Sequence, residues 1–201
     1  MGYDVPDRAI QRLRAAVVRA AQDPAFVHHA WFVPYHLEIV ERLAAELCQR
    51  YPAADRGLVL VLVWLHDYGK IVDSARQYEM TAVAGRSLLR ALGFPDAYVE
   101  RALAYVHLLD RKQELERAPI EVQIVSSADG AAHLVGPFYA LWWYEHPQKP
   151  IVELLEENRR KAYTDWHQKI VLPEVRAAFA QRYHDHLERC GAFPSAFIAT
   201  D

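Results

Sequence analysis

The run Leu58-Val59-Leu60-Val61-Leu62-Val63-Trp64-Leu65 limits the fold more than any other stretch of this chain. It has no polar face at helical or strand spacing, so whatever it forms must be covered on nearly every side. Its valines would also suit a buried strand. No second strand-like run is present for it to pair with, which favours a helix at the centre of other helices. The run leads straight into His66-Asp67-Tyr68-Gly69-Lys70. An imidazole and a carboxylate at the end of an apolar segment are costly to bury unpaired. A metal ion satisfies both, because histidine is the commonest metal ligand and carboxylate oxygen suits hard divalent cations.

The remaining segments also read as helix. Asp7–Ala21 carries Ile10, Leu13, Val17 and Ala21 at helical spacing. A helix over 34–51, with Pro34 in its first turn, has the stripe His36, Val40, Leu43 and Leu47. The apolar helix spans 54–68, with Gly69 as its stop. Further helices are predicted over 77–92, closed by Gly93, and over 95–109. Residues 110–117 read as a charged loop. Pro119 opens a helix carrying Val122, Val125, Asp129 and Ala132, which Gly136-Pro137 breaks. Helices over 138–144, 151–170 and 173–190 follow. The expected fold is all-α, one domain over 1–201 with a core at about 30–135 and a C-terminal helical extension at about 147–201.

Composition narrows the function classes. Of the 201 residues, 52% are hydrophobic and 24% charged, enough for one domain with a real core. The net charge is −3 and no basic block occurs, so a nucleic-acid partner is not expected. Cys48 and Cys190 have no metal-site or disulfide spacing and read as reduced thiols, which together with a cytoplasmic location is the expectation. Residues 1–4 show no signal-peptide pattern. The longest apolar run is far short of the ~20 residues that span a bilayer, so no membrane contact is expected.

Three predicted helices each direct a metal-capable group at an apolar stripe: His36 upstream, the His66-Asp67 pair, and Asp129 downstream. Helical bundles build metal sites from side chains on facing helices. Two imidazoles and two carboxylates suit a divalent ion such as Mn, Fe, Co, Ni or Mg. Neighbouring helical residues diverge by about 100°, so His66 and Asp67 reach one ion only beside a helix end.

The order His36…His66-Asp67…Asp129 resembles the HD-domain superfamily of metal-dependent phosphohydrolases. His66-Asp67-Tyr68-Gly69-Lys70 is similar to the H-D-x-G-K form of its signature, and Ser127-Ala128-Asp129-Gly130 to the helix that brings its last Asp. The likeness covers 32–133. It implies an all-helical core and His36, His66, Asp67 and Asp129 as metal ligands. It also implies a small phosphorylated substrate, a nucleotide being one option, although the chain carries no readable nucleobase motif. Asp67 would orient or deprotonate the nucleophilic water, and Lys70 would meet phosphate charge or protonate the leaving group. His107, Glu79 and His133 are the candidate substrate contacts. Two-metal members carry extra histidines between the doublet and the last Asp. Here only His107 falls in that interval, and Gln77-Tyr78-Glu79 stands where some members have a histidine. One metal is therefore favoured, with a second site on Glu79 and His107 left open.

Two other readings stay open: an HD-type di-iron oxygenase, and a metabolite-binding HD protein without catalysis. A homodimer is also left open. Elsewhere, Trp142-Trp143-Tyr144 reads as core or interface, His184 and His186 as solvated, and Asp165 and His167 as surface residues. The divergent pair His28-His29 does not read as a metal site.

Overall fold

The apolar run is helix α3, Arg56–Leu65. The Asp55 carboxylate caps it by accepting from the Leu58 N–H at 2.9 Å, one of the donors a helix start leaves free. The computed structural model describes residues 5–198, so the leaderless reading of residues 1–4 lies outside the described residues. Four helices pack around α3: α1 (Asp7–Ala21), α2 (Glu38–Arg50), α6 (Asp96–Leu109) and α7 (Ile120–Ala132). Every side chain from Leu58 to Leu65 is buried. The one polar side-chain atom in the run, Trp64 Nε1, donates to Glu41 at 2.8 Å. Among the described residues there is no β-strand, and the fold is all-α. None of their helices is long and apolar enough to cross a membrane.

The chain departs from its predicted elements where the site is built. Helix α3 ends at Leu65, not at residue 68, and Asp67 (φ −109°, ψ 11°) joins it to the short helix α4, Tyr68–Val72. Gly69 is therefore not a stop signal. It lies inside α4 against α5 (Gln77–Ala91), where a Cβ would overlap the Gln77 carbonyl oxygen and the Thr81 backbone. His36 lies on a π-helical turn, Val33–Leu37, that leads into α2. The predicted 110–117 loop contains a short 3₁₀ turn, Leu115–Arg117, with Leu115 buried.

After α8 (Phe138–Glu145), helix α9 (Ile151–Thr164) does not run on to residue 170. It widens into a second π-helical turn, Asp165–Lys169, before α10 (Pro173–Arg189). That turn is fastened to α7. Ser126 Oγ donates to the Lys169 carbonyl at 2.9 Å, and Ser127 Oγ accepts from the Val171 and Leu172 N–H groups at 3.1 Å each. Gly130 permits the approach, because a Cβ there would press on Ile170 and Lys169. Ile170, Leu172 and Val175 thereby join the main core, while Tyr139, Ala162 and Tyr183 form a second, smaller cluster. Both cysteines are free and buried.

Candidate metal centre

Burial brings four of the sequence-selected side chains to one point. His36 comes from the first π turn, His66 and Asp67 from the break between α3 and α4, and Asp129 from α7. His36 Nε2 stands 3.5 Å from both Asp67 Oδ2 and Asp129 Oδ1. His66 Nε2 stands 3.7 Å and 3.8 Å from the same two oxygens. These separations exceed ordinary hydrogen bonds. They suit donor atoms that face a common centre, and the ligand atoms of His36, His66 and Asp129 all lie within 4.8 Å of one another. The helix break solves the problem set by divergent neighbours, since Asp67 is no longer on the helix that carries His66.

His66 provides the test of fit. Its Nδ1 lies 2.8 Å from the Val63 carbonyl oxygen, which can only accept, so in the neutral ring Nδ1 carries the proton and Nε2 the lone pair. That Nε2 is buried with no hydrogen-bond partner. An orphaned buried acceptor is destabilising unless something electrophilic meets it. A divalent cation held by His36, His66 and Asp129 fits, with the Asp67 carboxylate beside them and the Val63 carbonyl orienting one ligand from behind.

Electrostatics disfavour charge on His36 and keep the two carboxylates ionised. Burial holds His36 below its ordinary pKa, against the pull of Asp67 and Asp129. Burial would raise the Asp67 carboxyl, but Lys70, His66 and His36 outweigh it and keep it well below the usual range. Asp129 follows the same pattern, with Lys169 and three histidines opposing its burial. Lys70 Nζ donates to Asp67 Oδ2 at 2.7 Å, and Lys169 Nζ pairs with Asp129 Oδ2.

His133, one turn beyond Asp129, joins the cluster. Its ring lies parallel to that of His36, with centroids 4.9 Å apart, and its Nε2 is 3.6 Å from Asp129 Oδ1. Its Nδ1 lies 2.9 Å from Asp165 Oδ2. Burial, aided by Lys161, pushes His133 down to about 3. Asp165 corrects the surface reading: it is 0% exposed and pairs with Lys161 as well. Lys161, Asp165 and Lys169 follow at intervals of four, a pattern that reads from sequence as a solvated ladder of ion pairs. Nothing local distinguishes that from a buried turn, and so the three were missed.

Two sequence candidates do not reach the cluster. Glu79 is exposed on α5, 3.9 Å from Arg76. His107 is exposed on α6, and Arg111 contacts its Nε2 at 3.1 Å. Neither lines a cavity that the candidate ligands line. Replacing either by alanine is expected to leave kcat/KM within about twofold, as for other surface changes. A loss above tenfold in a steady-state assay would return that residue to the site. His186 is also corrected, since it is half-buried and stacks on Tyr139 at 3.8 Å.

Residues 33–132 match the family model of the HD domain. The chain belongs to the HD-domain family. The match opens at the π turn that carries His36 and closes one residue before His133. Every one of the four candidate ligands therefore lies within the HD domain, whereas Asp165, Lys161 and Lys169 lie beyond it. No curated protein and no solved structure matches the chain significantly.

Proposed function

We propose that this HD-domain protein is a divalent-metal-dependent phosphohydrolase acting on a small phosphate ester. One observation carries the reading: His36, His66, Asp67 and Asp129 converge in a buried cluster whose carboxylates are already neutralised by lysines. Asp67, Asp129 and Asp165 are each paired with an ammonium, from Lys70, Lys169 and Lys161. A metal ion takes histidine in its neutral form, so the imidazoles would add no charge. The cluster is thus close to electroneutral, and a divalent ion would leave it with a surplus positive charge suited to a phosphate dianion.

When bound, the metal supplies Lewis acidity toward a phosphate oxygen and lowers the pKa of a water molecule. The protein's part is positioning. Asp67, kept ionised, accepts a hydrogen bond from the attacking water and fixes its direction. Lys70 sits at the cleft wall, where its ammonium meets charge developing on the ester or gives a proton to the leaving oxygen. His133 lines the same wall, and Asp165 holds its Nδ1 side so that Nε2 faces the site. Lys169 holds Asp129 in place. A small phosphorylated substrate and a cytoplasmic setting belong to this proposal.

The di-iron alternative needs protein ligands for a second ion, and the two sequence candidates for that role, Glu79 and His107, are exposed away from the cluster. Metal analysis of the purified protein, paired with a phosphoester screen in Mn²⁺, Co²⁺ and Mg²⁺, tests the proposal. The expected result is one ion per chain and metal-dependent phosphate release. Two irons per chain with oxygen consumption would replace it.

A further inference from the structure

The cluster opens into a cleft of about 610 Å³, within the range of small-molecule sites. One end holds His36, Asp67 and Asp129. Trp31, Phe138 and Trp142 wall the cleft next to them, and Glu157, Asn158 and Arg160 line it as well. Phe138 and Trp142 belong to α8, beyond the HD match, so this wall is not part of the domain that supplies the ligands.

The aromatic wall is held rigidly. Trp31 Nε1 donates to Glu145, and His28 Nδ1 lies 2.7 Å from the same carboxylate, tying the turn before the first π segment to the end of α8. Trp142 Nε1 donates to Glu157 of α9 at 3.0 Å. The N–H groups of both indoles are therefore already used, and what these side chains offer a ligand is apolar ring surface. Phe138 stands where the cleft meets the cluster, 4.0 Å from the His133 ring and 5.6 Å from that of Trp31. Phe138 and Trp142 are only partly buried and both line the cleft, with one side of the Trp142 ring stacked on His146 at 3.7 Å.

A ligand with its phosphate at the metal cluster must carry its remaining atoms along this wall. We infer that the cleft takes the leaving group of the ester, and that this group is a planar aromatic alcohol. Rings packed against rings gain more than their buried area alone provides. The inference rests on the phosphohydrolase reading for the position of the phosphate, and on the aromatic wall for the class of the leaving group.

Benzyl and cyclohexylmethyl groups have similar size and apolarity but differ in planarity and π character. The test is calorimetric titration of the full-length, Mn²⁺-loaded protein with benzylphosphonate and cyclohexylmethylphosphonate, together with hydrolysis of the two corresponding phosphate esters. Benzylphosphonate is expected to bind about tenfold more tightly, a difference of the size that one aromatic pair supplies. In Trp142→Ala this ratio should fall below about twofold, while Trp142→Phe, which keeps a ring, should retain most of it. Circular dichroism of both variants separates loss of the wall from loss of the fold. Equal binding of the two phosphonates to the wild-type protein overturns the inference and leaves the phosphohydrolase reading standing. A retained benzyl preference with no hydrolysis of either ester overturns the reaction and keeps the ligand class.

Discussion

Asp67→Ala is expected to lower phosphoesterase activity by at least about 10³-fold, since it removes a metal ligand and the acceptor that orients the nucleophile together. Asp67 Oδ2 faces both His36 Nε2 and His66 Nε2 and accepts from Lys70. Without it the metal site keeps two imidazoles and one carboxylate, and the Lys70 ammonium gains a repulsive relation to any bound cation. Metal content should fall from one ion per chain to near zero. Helix content should hold, because Asp67 lies between α3 and α4 and makes no capping bond to either. Metal analysis, circular dichroism and a phosphate-release assay on one preparation check all three expectations. Full activity in this variant would remove the metal-dependent mechanism.

Gly69→Ala is expected to destabilise the fold by about 3 kcal/mol, the upper part of the range for overpacking. The reason is that the obstructing atoms include backbone. A Cβ at residue 69 would meet the Gln77 carbonyl oxygen and the Thr81 amide nitrogen, neither of which can rotate aside. The Gly69 N–H also donates to Thr81 Oγ1 at 3.1 Å, and that hydroxyl donates to the Gln77 carbonyl at 2.8 Å. Relief requires α4 and α5 to separate, which breaks this chain and moves Lys70 away from Asp67. For a chain of this size the melting temperature should fall by about 10 °C. Thermal unfolding followed by circular dichroism measures it, and a shift under about 2 °C would show that α4 and α5 part at little cost.

These two residues show how differently parts of one motif can be read. Asp67 was legible because its neighbours are informative: an apolar run, a histidine before it, a glycine and a lysine after it. Gly69 was legible as a glycine that matters and was misread as a helix stop. A glycine after an apolar helix is a common C-terminal signal, and the close approach of α5 is a tertiary fact. His36 and Asp129 were legible because each is a polar residue on an apolar stripe. Helix order followed from prolines, glycines and periodicity, and α1 has the predicted bounds.

Asp165 and Lys169 were not legible, and the physical reason is general. An alternation of opposite charges at intervals of four stabilises an exposed helix and a buried network by the same local geometry. Which one occurs depends on what packs over it. Here the π turn, Gly130 and the two serines of α7 draw residues 165–172 against the metal cluster. His107 and Glu79 failed for the converse reason, since order along the chain does not say which face of a helix meets the site.

Local sequence pattern alone set the all-helical class, the central apolar helix and the four residues proposed as metal ligands. Each depends on residue type and spacing, which an isolated segment already carries. Tertiary packing decided the break that turns Asp67 toward His66, the burial of the Asp165 and Lys169 turn, and the aromatic cleft beside the cluster. Those features exist only where distant segments meet, because desolvation and close backbone approach are properties of contacts and not of any one stretch of chain.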